Sequence, residues 1–193
     1  MSQELILASS SPRRRELLAS LGLQFQVVPA EIGETPSPRE AAKDFAVRVA
    51  EKKALTVGTE YPSAWVIGAD TVVVVEDEIL GKPLHAEEAK RMLQLLSDRE
   101  HWVLTGYVLL KVATGKTLRG VEKTRVKIKA LEEREIAWYI NTGEPFDKAG
   151  AYAIQGKGAF MVEWIRGSYT NVVGLPLCQL VRLFQEAGMR EIF

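Results

Sequence analysis

The sequence predicts an α/β fold with a mixed sheet, and three observations carry that expectation. Strand-like and helix-like stretches interleave along the whole chain, tight hairpin signals occur beside helical crossovers, and AWVIGADTVVVVE is an apolar run that does not alternate. Interleaving marks α/β architecture, and hairpins bring antiparallel pairs into it. A strand that is apolar on both faces belongs at the centre of a sheet covered on both sides. No internal repeat or low-complexity linker divides the chain, and its 193 residues suit a single domain over 1–193.

ELILA opens the chain as a first strand. Ser11 then offers an N-cap with Pro12 at the first helical position, which predicts a helix running to Gly22. FQVV is a short second strand and PAEIGETPSP a loop. Ser37 and Glu40 have capping-box spacing with Pro38 at the first helical position, so a long helix is expected through Ala41, Phe45 and Val49 to Gly58. After the apolar strand, EDEILGKP reads as a return hairpin and AEEAKRMLQLLS as an amphipathic helix. HWVLTGYVLLKV and TLRGVEKTRVKIK are two long strands joined by the tight turn ATGK. EEREIAWYINTG is a further helix, DKAGAYAIQGKGA is rich in glycine and alanine, and FMVEWIRG and SYTNVVGLP lead into a last helix, PLCQLVRLFQEAG.

Lys and Arg together number 25, matched by 25 Asp and Glu. A net charge of zero argues against a general nucleic-acid binder, whose affinity comes from clustered cations on phosphates, so no stable nucleic-acid partner is expected. The single Cys178 cannot close an intramolecular disulfide, and with only His85 and His101 there is no Cys/His cluster for structural zinc. The apolar stretches fall short of the ~18 consecutive residues that a membrane span needs. MSQELILASSSPRRR has no basic region ahead of its apolar run, so a cytoplasmic location is expected.

Ser9, Ser10 and Ser11 followed by Arg13, Arg14 and Arg15 put hydroxyls, helix-start N–H groups and guanidinium groups at one strand-to-helix junction. Cations oppose the positive end of a helix dipole, so an anion is expected to compensate, and phosphate suits both the N–H groups and bidentate arginine. Solvated or internally paired arginines are the alternative. Asp70 lies within the apolar strand, where a charged carboxylate is costly unless paired. It is a candidate to hold a divalent metal or to take a proton from water, and a carboxylate bonded to loop amides is the structural alternative. Gly68 just before it allows a ligand or a neighbouring backbone to come close.

Lys53 falls on the inward stripe of its helix with Phe45 and Val49, pointing into a site or snorkelling over the helix end. Lys82, in GKP, returns beside the Asp70 strand. Glu34, in the loop between strand and helix, is a candidate second carboxylate for a metal, with a simply solvated loop glutamate as the alternative. Other apparent motifs fail: ATGKT has Leu110 where a P-loop needs its first glycine, and GKGAFM has Met161 where a dinucleotide motif needs its last. No HExxH or GxSxG is present.

LASSSPRR, GADTVV, GKP, DKAGAYAIQG and GSYTNVVGLPL stand in one order across nearly the whole chain, with the VRVAEKKA helix between the first two, and together resemble the Maf family of nucleotide pyrophosphatases. The resemblance implies a two-lobed, ITPase-like α/β fold with an elongated central mixed sheet flanked by helices and a deep cleft between lobes. It also implies hydrolysis of a nucleoside triphosphate to monophosphate and pyrophosphate with Mg²⁺ or Mn²⁺. By position the catalytic carboxylate falls on Asp70, phosphate contacts on Ser9, Arg13, Lys53 and Lys82, and the acidic loop residue on Glu34. The DKAGAYAIQG segment is similar to the branch acting on dTTP and UTP, and Arg13, Thr71 and Gln155 match the positions linked with that choice. Gly33 replaces a second acidic residue frequent in relatives, and Ala153 replaces a glycine. A 7-methyl-GTP pyrophosphatase and a non-catalytic, nucleotide-binding regulator of septum formation are the alternatives. Relatives suggest a homodimer, for which Trp65, Trp102, Trp138 and Trp164 supply apolar surface when they are not in the core.

Overall fold

In the computed structural model, which describes residues 4–189, the buried tripeptide Leu5–Leu7 forms strand β1. It pairs in parallel with β2 (Gln26–Val27) and with β3 (Trp65–Val75). β3 turns back into β4 (Glu78–Leu80), an antiparallel partner. Glu76 and Asp77 both adopt the left-handed conformation (φ 48° and 68°) that a two-residue hairpin requires. β5 (Glu100–Lys111) and β6 (Lys116–Ile128) are joined through the 3-10 turn Val112–Thr114 and Gly115, and β7 (Val162–Arg166) pairs antiparallel with β6. Among the described residues the sheet has seven strands, in the order β2-β1-β3-β5-β6-β7 with β4 also on β3. This is the mixed α/β architecture expected.

The chain divides into two compact units. The first comprises residues up to Asp70, Thr105–Glu122 and the residues from Gly174 onward; the second comprises Thr71–Leu104 and Lys123–Val173. In the first unit the strands carry apolar side chains on both faces. Leu5, Leu7, Ile67 and Leu109 pack with Leu18 of helix α1 (Pro12–Ala19) and Phe184 of helix α6 (Leu177–Glu186). The intervening positions Ile6, Val66 and Val108 pack with Ala50, Ala54 and Val57 of helix α2 (Ala42–Glu60). Helices on both faces explain why β3 does not alternate.

In the second unit Val73, Leu80, Leu93, Leu96, Ile128 and Tyr139 form a separate core. Helix α3 (Ala86–Leu96) and helix α4 (Glu133–Asn141) pack on one another over it. α3 is capped by His85, whose Nδ1 accepts from Glu88 N, and α4 by a capping box of Glu132 and Glu135. A short helix α5 (Tyr169–Val173) completes the unit.

Two local expectations are corrected. α2 starts at Ala42, not beside Ser37: Glu40 does reach back to Ser37 N, but Arg39 turns left-handed (φ 63°) and Arg48 takes both carboxylate oxygens of Glu40 at 2.6 and 2.7 Å. α2 also continues past Gly58, where a Cβ would stand 3.0 Å from Val112 Cγ2, so this glycine serves close packing and not helix termination. VEWIR in the FMVEWIRG stretch is a strand. Of the tryptophans, Trp65 is core, Trp102 lies under Lys123 and Arg125, and Trp138 and Trp164 are exposed. Among the described residues no helix is long and apolar enough to cross a membrane.

Candidate active site

Strand parity puts Val66, Gly68 and Asp70 on the face of β3 that meets α2. A Cβ at Gly68 would stand 2.1 Å from Ala50 O and 2.9 Å from Ala54 Cβ. On β5, a Cβ at Gly106 would stand 2.4 Å from Ala46 O. The small residues Ala46, Ala50 and Ala54, four apart on one side of α2, therefore rest directly on two bare strand positions. Of the two readings open for Gly68, the structure shows the close approach of a neighbouring backbone. This seating brings Lys53, between Ala50 and Ala54 on the helix, against Asp70.

Lys53 Nζ donates to Asp70 Oδ1 at 2.7 Å and pairs with Glu34 Oε1 at 2.6 Å. Lys53 and Asp70 are both buried (6% exposed each), whereas Glu34 comes from the exposed loop ahead of α2. Two carboxylates thus converge on one ammonium, which compensates a charge that a bare aspartate could not carry inside a sheet.

The SSSPRR junction lies in the same unit. Ser9 is buried, and its Oγ accepts from Ser11 N at 3.2 Å and from Arg14 Nη1 at 3.4 Å. Arg14 is the buried arginine of the three, and its Nε donates to Gly174 O at 2.8 Å. Burial lowers the Arg14 pKa, opposed by the negative charges of Asp70 and Glu34, while Arg13 lowers it further. Arg14 therefore lies within electrostatic reach of both carboxylates. Arg13 is half-buried and Arg15 exposed. The first turn of α1 contains no acidic residue and Ser11 makes no side-chain cap. Reading the sequence singled out Arg13 and passed over Arg14. The signal was its place four residues before buried Leu18 on the same helix face.

Thr71, Lys82 and Gln155 belong to the second unit. Thr71 follows Asp70 along β3 and is half-buried; Lys82 is exposed in the loop after β4; Gln155 is half-buried in the glycine-rich segment. That segment is seated on the other two elements. Gly150 N donates to Gly81 O at 3.0 Å, next to Lys82, and a Cβ at Gly150 would lie 3.0 Å from the Val73 side chain. Tyr152 is buried with its hydroxyl 2.7 Å from His101 Nε2. The structure thus assembles Lys53, Asp70 and Glu34 by direct contact, joins Ser9 to Arg14 beside them, and gathers the Lys82 loop and the Gln155 segment in the second unit. Among the described residues no group of three or more His, Cys, Asp or Glu is arranged to hold a metal.

Residues 4–187 match the family model described as Maf-like protein. A dTTP/UTP pyrophosphatase of Myxococcus xanthus is 54% identical over 96% of this chain and 93% of its own. Proteins of the same name from Geobacter metallireducens, at 50% identity over 97% of each chain, and from Syntrophus aciditrophicus, at 46% over 97% of this chain and 92% of its own, are similarly alike. With the motif order, the fold and a match over nearly all of the chain in agreement, this protein belongs to the Maf-like family.

Proposed function

We propose that this protein is a nucleoside triphosphate pyrophosphatase that hydrolyses dTTP and UTP to the monophosphate and pyrophosphate. The observation that supports this most is the Lys53–Asp70–Glu34 cluster beside the SSSPRR helix start, in a chain about half identical to proteins of that name. Ser9, Arg13, Lys53 and Lys82 supply hydroxyl and cationic groups for the phosphate oxygens. With two donors already on its Oγ, Ser9 keeps its own proton to give to an anion.

Asp70 orients the attacking water and takes its proton as the water oxygen bonds to the α-phosphorus. The bond from that phosphorus to the bridging oxygen breaks, and pyrophosphate leaves with its charge held by the cations. Lys53, clamped between two carboxylates, keeps Asp70 in one place. Asp70 and Glu34 also suit a divalent cation. Both are hard oxygen donors, and their oxygens already meet around one positive charge. Mg²⁺ or Mn²⁺ bound there would supply charge neutralisation along the triphosphate. Gln155, with one acceptor and one donor on its amide, reads the imide edge of thymine or uracil, and Thr71 and Arg13 share in that choice. The same reading places the protein in the cytoplasm, where its substrates are, and allows a homodimer.

Pyrophosphate release by the purified protein from dTTP, UTP and 7-methyl-GTP, with and without Mg²⁺, tests the proposal. It expects metal-dependent turnover of dTTP and UTP. A clear preference for 7-methyl-GTP would refute the substrate, and no release from any of the three would refute the enzyme.

A further inference from the structure

Glu144 opens the 3-10 turn Glu144–Asp147, half-buried, and its carboxylate gathers three donors from two other parts of the second unit. Oε2 accepts from Lys157 N at 3.0 Å, and Oε1 accepts from Gly158 N at 3.1 Å and from the Tyr139 hydroxyl at 3.0 Å. Burial pushes the Glu144 pKa up, but these hydrogen bonds and the Lys148 charge outweigh it and leave the pKa below the usual value. The segment that holds Gln155 is therefore fixed two to three residues after it by Glu144, which Tyr139 holds in turn.

Glycines make that closeness possible. Gly156 is left-handed (φ 71°), and a Cβ there would lie 2.8 Å from Glu144 Oε2; a Cβ at Gly158 would lie 2.7 Å from both Ala153 O and Tyr139 Oη. Only a carboxylate at position 144 offers acceptors alone to all three donors. The amide of glutamine would present N–H groups to one of the two backbone N–H donors.

We propose that Glu144 is a positioning residue for base selection: it locks the backbone around Gln155 so that the Gln155 amide meets a pyrimidine imide from one fixed place. This rests on Gln155 being the base reader in the function proposed above. An amide matches an imide only when its oxygen reaches N3–H and its N–H₂ reaches a ring carbonyl together. A segment free to shift by an ångström loses one of the two, and with it the advantage of UTP over CTP, whose N3 has no hydrogen.

The test is the ratio of kcat/KM for UTP to that for CTP, measured for the wild type, Glu144→Gln, Tyr139→Phe and Gln155→Ala. Because both substrates see one preparation, loss of folded enzyme cancels in the ratio. The expected result is a fall of about tenfold or more in Glu144→Gln, a smaller fall in Tyr139→Phe and a fall in Gln155→Ala. If Glu144→Gln does not fold, Tyr139→Phe carries the test alone, and an unchanged ratio there overturns the proposal. An unchanged ratio in Glu144→Gln beside a collapsed one in Gln155→Ala overturns the positioning role and leaves Gln155 as the reader. An unchanged ratio in Gln155→Ala overturns both.

Discussion

Lys53 Nζ lies 2.7 Å from Asp70 Oδ1, and the contact exists because Gly68, two residues before Asp70 on the same strand face, has no side chain. The carboxylate proposed as catalytic, its cation and the helix that carries the cation are set by one packing event. Each consequence of that arrangement can be measured.

Gly68→Ala puts a methyl 2.1 Å from the Ala50 carbonyl oxygen, which is backbone and cannot swing away. α2 must lift from β3. We expect a loss of about 3 kcal/mol in urea unfolding, at the upper end of overpacking costs, together with a loss of activity as Lys53 leaves Asp70. Gly81→Ala, where nothing lies within 4 Å, is the control and leaves stability nearly unchanged. Equal stabilities for the two variants would contradict the packing account.

Adjacent arginines on α1 are expected to fail differently. Arg14→Met removes one donor from the Gly174 carbonyl and one from Ser9, and should cost about 2 kcal/mol in an unfolding titration. Arg13→Met should chiefly raise KM for the triphosphate, with the smaller effect on stability. The reverse pattern would exchange their roles.

His101 is buried against Tyr152, edge to face, and burial lowers its pKa from 6.5 to about 4. Between those values the unfolded chain binds a proton that the folded chain does not. The His101 contribution is therefore complete above about pH 6.5, is lost as pH falls, and levels off below about 4 after a total of about 3 kcal/mol. Stability against pH for the wild type minus that for His101→Gln should show this slope in that window, and parallel curves would remove it.

Much of this was legible in sequence because the signals were local. The Pro12 helix start, the doubly apolar β3, the hairpins and the motif residues each announce themselves within a few positions. What escaped depends on contacts distant in the chain. Glu40 reaches back to Ser37 N as the spacing suggested, but Arg48, eight residues on, holds the same carboxylate and Arg39 turns left-handed, so no helix starts there. Gly106 reads as an ordinary strand glycine until Ala46 is laid on it. Arg14 shares the helix face of Leu18, but the Gly174 carbonyl that holds it lies 160 residues away, and the Glu144 carboxylate looks solvated until Lys157 and Gly158 fold back onto it.

The most direct test of the account is pyrophosphate release from UTP by Asp70→Asn. The asparagine carbonyl still accepts from Lys53, so the fold and the unfolding midpoint should be nearly preserved while the proton acceptor is gone. The kcat should fall by about a thousandfold with nucleotide binding retained. A well-folded Asp70→Asn enzyme that still turns over UTP within about tenfold of the wild type would contradict it.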